Sequence, residues 1–278
     1  MKISSKTKKT LISLLKNFVC ILLSLVVLLP FYMVVINSFK SKNESARMSI
    51  AWPTEWHFEN YAYVIEQGKL LQGFGNSLLY AGVATTIGVL GCAMVALVLN
   101  RKATKFNRGV YFFFLCGLFV PINYVTLISV LSTLGLSDTR LGLILTFTGS
   151  MVPFCVFVIS NFMSSVPVEI DEAAVLDGAS ALSLFFRIIV PMLTPVLITA
   201  YLLQFMGVWN DFMTPLYLSS SSKLWPMNLS VYNFFSKNSA YWNYVFADIV
   251  LTCLPVILLY LVGQKYIISG LTSGAVKE

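Results

Sequence analysis

The chain has 278 residues, of which 57% are hydrophobic and 11% charged, and its formal net charge is +7. An ordinary soluble domain is about 45–50% apolar and about 25% charged, so this composition excludes a soluble enzyme. One core cannot bury so much apolar surface, and much of it must face lipid. The sequence therefore predicts an all-α, polytopic membrane helix bundle. No linker or repeat divides it, which indicates a single domain over residues 1–278.

Six stretches are long and apolar enough to cross a membrane. A spanning helix needs about 20 apolar residues, because the hydrocarbon layer is about 30 Å thick. The predicted spans are residues 17–39, 76–99, 109–131, 141–162, 188–209 and 244–262. Lysines and arginines cluster before the first span and between the second and third, so the positive-inside rule places both segments in the cytoplasm. With six crossings, the N and C termini are then both expected in the cytoplasm.

Metal binding and catalysis have little support in the sequence. The five cysteines lie in apolar runs without C-x-x-C spacing, and His57 is the single histidine. No Ser/His/Asp set or pair of intramembrane carboxylates offers acid and base chemistry. We therefore expect neither a metal site nor catalytic residues.

Residues 164–187 connect the fourth and fifth predicted spans on the cytoplasmic side, and this acidic segment carries four acids and one base. Its charged residues are Glu169, Asp171, Glu172, Asp177 and Arg187. A cytoplasmic loop is usually basic, so insertion into the membrane does not explain this composition. Acids in the first turns complement the positive end of a helix dipole, and a helix is therefore predicted at the start of the segment.

The acidic segment also carries signals for a sharp turn and a second helix. Pro167 suits a first helical position, because its missing N–H needs no partner there. Gly178 suits the left-handed residue that ends a helix, and Ser180 can cap the next one. The first helix is too short to cross a membrane. Its spacing is equally compatible with an interfacial connector and with a helix that docks in a partner's groove.

Seven positions at fixed spacing run from the acidic segment into the fifth predicted span. They are Glu172, Ala173, Ala174, Gly178, Ile188, Val190 and Pro191. This pattern resembles the E-A-A-x3-G-x9-I-x-L-P signature of permease subunits in bacterial ABC importers, with valine where the signature has leucine. Further on, Trp209-Asn210-Asp211-Phe212 and Pro215 resemble the W-N-D/E-F-x2-P stretch of carbohydrate permeases. The likeness covers most of the chain from about residue 76, and it looks closest to the six-span partner of the heterodimeric permease pair in maltose-type importers.

The resemblance implies that the acidic segment is a coupling helix, which docks on a cytoplasmic ATPase subunit and passes nucleotide-driven movement to the spans. The residues assigned to this coupling are Glu172, Ala173, Ala174, Asp177, Gly178, Arg187 and Pro191. Glu172 would offer a charge to the ATPase, the two alanines would allow close approach, and Gly178 would let the chain turn. No G-x-x-x-x-G-K-[ST] loop occurs in the sequence. We therefore expect no cofactor in this chain, with ATP and magnesium bound by the partner ATPase.

A carbohydrate pathway should offer polar groups and aromatic faces, because each sugar hydroxyl stripped of water must be paired again. The candidate residues are Asn123, Tyr124, Thr146, Thr148, Gln204, Trp209, Asn210 and Asp211. Polar residues in membrane bundles also form hydrogen bonds between helices. The stretch 209–211 also suits an external gate or a seat for a binding protein. The sequence leaves these interpretations open.

The resemblance thus implies a permease subunit, not an enzyme, of an ATP-driven importer in the cytoplasmic (inner) membrane of a bacterium. It would move a carbohydrate, in particular an oligosaccharide, by alternating access. The implied partners are a second homologous permease, two ATPase subunits, an extracytoplasmic solute-binding protein and membrane lipid, with no nucleic acid. The alternative is an ion-coupled secondary carrier or channel, in which the acidic segment is an amphipathic connector. Asp248 is the single carboxylate within a predicted span, which gives little support to ion coupling.

Overall fold

The computed structural model describes residues 5–102, 104–235 and 240–275, and it describes side chains for the part of these ranges within residues 13–266. The described chain is helical, with one isolated antiparallel bridge between Phe235 and Ala240, so the predicted all-α fold is confirmed. Its α-helices are α1 (Ser5–Ser38), α2 (Lys42–Ser45), α3 (Glu59–Gln67), α4 (Leu70–Arg101), α5 (Lys105–Cys116), α6 (Tyr124–Thr133), α7 (Arg140–Met163), α8 (Glu169–Leu176), α9 (Ala181–Leu184), α10 (Val190–Asn210), α11 (Met213–Leu218) and α12 (Trp242–Ala275). A π-helical turn (Phe185–Ile189) precedes α10, and a 3₁₀ helix (Met227–Phe234) precedes α12. The chain ends at residues 1–4 and 276–278, for which a cytoplasmic location is predicted, lie outside the described residues.

Five stretches of the described residues are long and apolar enough to cross a membrane. They are Ser13–Ser38, Leu70–Arg101, Arg140–Met163, Ala181–Asn210 and Trp242–Tyr266. Five of the six predicted spans fall on these helices, and the exception is the third. The helix α4 begins at Leu70, earlier than its predicted span, because the polar and glycine residues at 72–76 lower the hydropathy without ending the helix.

The predicted third span, residues 109–131, is broken into two helices. The helix α5 ends at Cys116, and α6 begins at Tyr124. Pro121 lies in the break, where its missing N–H and its restriction of the preceding residue oppose a continuous helix. The Asn123 side chain accepts a hydrogen bond from the Thr126 N–H at 3.1 Å and caps α6. The prediction of one continuous helix is wrong here, because hydropathy is summed across a break that the proline and the cap define.

Contacts between residues divide the chain into two compact units, and the single domain over residues 1–278 remains a prediction. The larger unit comprises Leu71–Ser230 and Leu254–Glu278, and in it α7 packs against α10 and α5. Ala93 of α4, Cys155 of α7 and Leu193 of α10 are fully buried in one apolar cluster. Small residues such as Ala93 let helix backbones approach closely, as in other membrane bundles.

The other unit comprises Met1–Leu70 and Val231–Cys253. Only 6% of the apolar window within Ser13–Ser38 is buried, so the surface of α1 is available to lipid. After α1 ends, the enclosed Lys40 ammonium donates to the Ser49 carbonyl at 2.9 Å and to the Ser49 hydroxyl at 3.0 Å. These bonds satisfy a cation that burial would otherwise penalise, and they hold the loop after α1 in place.

Candidate functional site

The acidic segment folds into two short helices joined by a left-handed turn. The helix α8 ends at Leu176, and Gly178 has a φ of +82°, a conformation that favours glycine. The Ala179 N–H donates to the Ala174 carbonyl at 2.9 Å, and the Gly178 N–H donates to the Val175 carbonyl at 3.0 Å. This is the hydrogen-bond pattern of a Schellman motif. The predicted helix end at Gly178 is confirmed.

The two helices of the acidic segment begin in different ways. Ser180 accepts a hydrogen bond from the Ser183 N–H at 3.3 Å and caps α9, as predicted. The helix α8 begins after the N-cap residue Val168, so Pro167 lies before the cap. The prediction of Pro167 as the first helical residue is wrong, because the helical bonds start at the Val168 carbonyl, which accepts from the Glu172 N–H at 3.2 Å.

One face of α8 is exposed. Glu172 and Ala173 lie on it, and Val175 and Leu176 are 60% and 87% exposed. Ala174 is 7% exposed and packs inward, so of the two alanines Ala173 is the one that can lie against a partner. The cytoplasmic leaflet is negatively charged, and an acid beside apolar side chains therefore suits contact with a protein better than contact with lipid headgroups.

Arg101, the last residue of α4, contacts the start of α8. Its Nε donates to Asp171 Oδ2 at 2.7 Å, and its Nη2 donates to Asp171 Oδ1 at 3.2 Å. Its Nη1 also donates to the Val166 carbonyl at 3.0 Å, and its Nη2 to the Pro167 carbonyl at 3.5 Å. The two charged side chains are only 14% and 13% exposed. A bidentate, shielded pair is stronger than a typical surface ion pair, and it fixes α8 to the end of α4.

The sequence alone does not reveal this pair. Asp171 is one of four acids in the acidic segment, and Arg101 is one of several basic residues after the second span. Their opposite charges on segments predicted at the same membrane face were the available signal. The two residues are 70 positions apart, and neither spacing nor periodicity joins residues at that separation.

The acidic segment continues directly into a span. The helix α9 passes through the π-helical turn into α10, so that Ala181–Asn210 is one long apolar helix. Pro191 lies in the first turn of α10, and the wider turn before it accommodates a ring that would clash with the carbonyl four positions earlier. Arg187 is exposed on this turn. The helix α8 is thus linked to α10 by the continuous chain and to α4 by the Arg101–Asp171 ion pair.

Three of the predicted pathway residues lie close together at the break in the third span. Tyr124 stacks on Tyr217, with ring centroids 4.8 Å apart and an interplanar angle of 28°. The Tyr124 hydroxyl lies 3.5 Å from the Thr214 hydroxyl, which donates to Asp211 Oδ2 at 2.6 Å. Asn123, Tyr124 and Tyr217 line a cavity of about 630 Å³. Thr214 and Tyr217 are absent from the sequence-based candidates, because only the fold brings Tyr217 to this cavity and Thr214 to the Tyr124 hydroxyl.

The other predicted pathway residues do not line this cavity. Thr146 and Thr148 each donate to a carbonyl of their own helix at 2.8 Å, which is the ordinary use of a hydroxyl inside a helix. Trp209 is 3% exposed and stacks on an aromatic ring of its own helix, so its role is packing. Gln204 is half-buried, and Asn210 is exposed at the end of α10.

Comparison with known proteins places the chain in a family. Residues 88–272 match the model of the family described as binding-protein-dependent transport system inner membrane component. The diacetylchitobiose uptake system permease protein NgcG of Streptomyces coelicolor is 34% identical over 91% of this chain and 85% of its own length. The probable starch degradation products transport system permease protein AmyC of Thermoanaerobacterium thermosulfurigenes is 29% identical over 95% of this chain and 97% of its own. This chain belongs to the family of binding-protein-dependent transport system inner membrane components.

The fold also has a counterpart among solved structures. A chain in the crystal structure of a bacterial ABC transporter involved in the import of the acidic polysaccharide alginate superposes with a TM-score of 0.81. The match covers 96% of this chain and 99% of that chain at 20% sequence identity. The predicted likeness to permeases of ABC importers is confirmed. The chain is a multi-pass inner-membrane transport component rather than an enzyme.

Proposed function

We propose that this chain is one permease subunit of an ATP-driven importer, and that it moves an oligosaccharide across the cytoplasmic membrane by alternating access. The observation that carries the proposal is the Arg101–Asp171 ion pair. This pair holds the exposed helix α8 to α4, a span that does not adjoin α8 in the sequence. Such a helix can pass the movement of a bound partner to both α4 and α10. The names of the two relatives, which refer to diacetylchitobiose and to starch degradation products, support the substrate class.

The partner of α8 in this proposal is a cytoplasmic ATPase subunit, which binds the ATP and the magnesium. Glu172 offers it a negative charge, Ala173 allows close approach, and Leu176 offers apolar area. The inward packing of Ala174 and the turn at Gly178 hold this face in position. We expect no cofactor in the permease chain itself.

The sugar pathway in this proposal passes the break between α5 and α6. The 12 residues of α5 extend about 18 Å, which puts the break near the middle of the hydrocarbon layer. Phe119 and Val120 in the break are 86% and 69% exposed. Non-helical backbone at this depth is tolerated where protein covers it or where it lines a water-filled cavity, and broken helices flank the substrate sites of many transporters. The Tyr217 ring offers an apolar face to a sugar ring, and the Asn123 and Tyr124 side chains, which line the same cavity, offer polar partners.

In this proposal the chain crosses the membrane six times, with α8 and both termini in the cytoplasm. The Arg101–Asp171 pair requires the end of α4 and the start of α8 to lie at the same membrane face. The chain between them must therefore cross an even number of times, and α7 supplies one crossing. We infer that α5 and α6 together supply the other, since their 12 and 10 residues extend about 18 Å and about 15 Å.

The remaining subunits in this proposal are a second homologous permease, two ATPase subunits and an external solute-binding protein. The family description itself names dependence on a binding protein. The exposed break of the third span would face the second permease across the pathway, and that permease would cover part of the apolar surface there.

Uptake by proteoliposomes tests the proposal. The chain is reconstituted with the subunits that copurify with it, and uptake of a labelled oligosaccharide is measured with ATP on the ATPase side and binding protein on the other. We expect uptake to require both. Uptake by this chain alone, driven by a proton or sodium gradient, would instead establish the ion-coupled carrier.

A further inference from the structure

A second cavity, of about 310 Å³, lies among the ends of α4, α5 and α7. The charge pattern places these helix ends on the cytoplasmic side. On one wall the Asn107 side chain donates to the Lys102 carbonyl at 2.8 Å, and the Asn107 N–H donates to Thr104 Oγ1 at 3.1 Å. The described lining of this cavity includes none of the residues assigned to coupling or to the sugar pathway.

Ser160 of α7 lines this second cavity and carries an unsatisfied hydroxyl. The residue is 5% exposed, and its Oγ has no hydrogen-bond partner in the described part of the chain. Thr146 and Thr148, on the same helix, donate to carbonyls of their own turns. A buried hydroxyl without a partner is costly and needs an explanation. Rotation of the Ser160 side chain toward the cavity would let an acceptor atom bound there satisfy it.

Two basic residues, Lys102 and Arg108, line the same cavity, and the described lining holds no acidic residue. Neither forms an ion pair with any described residue. They lie on either side of the N-terminus of α5, where the helix dipole also favours an anion. Two unpaired cations, a helix N-terminus and a free hydroxyl donor suit an anion with several acceptor oxygens.

We propose that this cavity binds a phosphate group. Phe112 and Phe113, which follow Arg108 within two turns of α5, are 67% and 74% exposed and offer surface to acyl chains. Anionic phospholipids are concentrated in the cytoplasmic leaflet, and basic pockets between spans bind their headgroups. The phosphodiester of an anionic phospholipid therefore fits this position better than free phosphate. Bound there, it joins α4, α5 and α7 one residue beyond Arg101.

The test is lipid retention by the full chain purified with its partner subunits. The complex is placed in nanodiscs of phosphatidylcholine and phosphatidylglycerol, extracted with detergent, and analysed by native mass spectrometry. We expect Lys102→Gln and Arg108→Gln each to lower the retained phosphatidylglycerol about fivefold, and Ser160→Ala to lower it by a smaller factor. Lys105→Gln is the matched control, because Lys105 lies in the same basic stretch but does not line the cavity.

A second arm separates the two sources of phosphate. The thermal unfolding midpoint is measured with and without inorganic phosphate in nanodiscs of phosphatidylcholine alone. A rise that Arg108→Gln abolishes and Lys105→Gln leaves intact would confirm the phosphate site and make the free anion its occupant. Equal lipid retention in all four variants and the wild type, together with no response to inorganic phosphate, would overturn the proposal. Neither arm measures uptake, so the outcome of this test is independent of the proposed transport function.

Discussion

Arg101 makes four hydrogen bonds at the junction of α4 and α8, and only two of them go to a carboxylate. The other two go to the carbonyls of Val166 and Pro167, so the guanidinium fixes the backbone before α8 as well as the Asp171 side chain. A lysine cannot reproduce this, because its ammonium is a point charge without the planar fork of donors. Arg101 therefore acts as a positioning residue for α8 and not only as a counter-charge.

Replacing Arg101 with lysine keeps the charge and removes the fork. Charge-assisted hydrogen bonds contribute about 1.5–3 kcal/mol, so we expect Arg101→Lys to lower the ratio of correctly placed to displaced α8 about tenfold or more. ATP-driven uptake by reconstituted complexes should fall by up to that factor, while basal ATP hydrolysis persists. Glu169→Gln is the control, since Glu169 is an exposed acid on the same helix. Equal uptake by the two variants would contradict a positioning role for Arg101.

Gly178 offers a second residue-scale test, because its penalty on substitution is conformational and not steric. Its φ is +82°, and nothing lies within 4 Å of an added Cβ. Gly178→Ala should therefore destabilise the segment by about 1–2 kcal/mol, and Gly178→Asn by less, since asparagine tolerates this conformation. The thermal unfolding midpoint measures the loss of stability, and ATP-driven uptake measures the effect on coupling.

Gly135 provides the matched control for this pair of variants. It has a φ of +67°, and an added Cβ would also meet nothing within 4 Å. Gly135→Ala should cost the same stability but keep ATP-driven uptake, because Gly135 precedes α7 and α8 follows it, and the 24 residues of α7 extend about 36 Å. If both alanine variants lose uptake equally, the turn at Gly178 has no specific part in coupling.

The break between α5 and α6 and the turn after α8 show which elements can be predicted from this sequence. Gly178 and Ser180 act on their immediate neighbours, and these local signals gave the correct turn and the correct cap. The helix-breaking signal of Pro121 and the capping signal of Asn123 are equally local, but a hydropathy sum over 20 residues does not detect them. The stacking of Tyr124 on Tyr217 and the bonding of Arg101 to Asp171 depend on how helices pack, which residue spacing does not specify.

The stacked tyrosines at the break test the sugar pathway. Removing the ring in Tyr217→Ala should lower the apparent affinity of uptake for the oligosaccharide about two- to tenfold, because an aromatic contact contributes about 0.5–1.5 kcal/mol. Tyr217→Phe keeps the ring and should retain most of the affinity. Phe31→Ala, which removes an exposed ring from α1 that does not line this cavity, serves as the control. If Tyr217→Ala transports with unchanged affinity, the sugar does not contact this ring.

At the scale of the whole molecule, α8 can bind a cytoplasmic ATPase only if it lies on the cytoplasmic side of the membrane. The predicted importer takes its energy from ATP bound elsewhere, so α8 is useful only on the cytoplasmic side. Its side depends in turn on whether the broken helix pair α5 and α6 crosses the membrane. If the pair crosses, α8 lies at the same face as the basic loop after α4. If the pair enters and returns, α8 lies outside, and the Arg101–Asp171 pair cannot form.

Labelling of single cysteines decides between these topologies. In a chain whose five cysteines are replaced by serine, a membrane-impermeant maleimide is applied to intact spheroplasts and to inside-out vesicles. We expect Leu176→Cys to react only in inside-out vesicles and Leu134→Cys only in spheroplasts. Both positions are exposed, and Leu134 precedes the span α7 whereas Leu176 follows it. Phe106→Cys, at the start of α5, is cytoplasmic in either topology and calibrates the labelling. Reversed labelling at Leu134 and Leu176 would mean that the broken pair does not cross, and it would exclude an ATPase as the partner of α8.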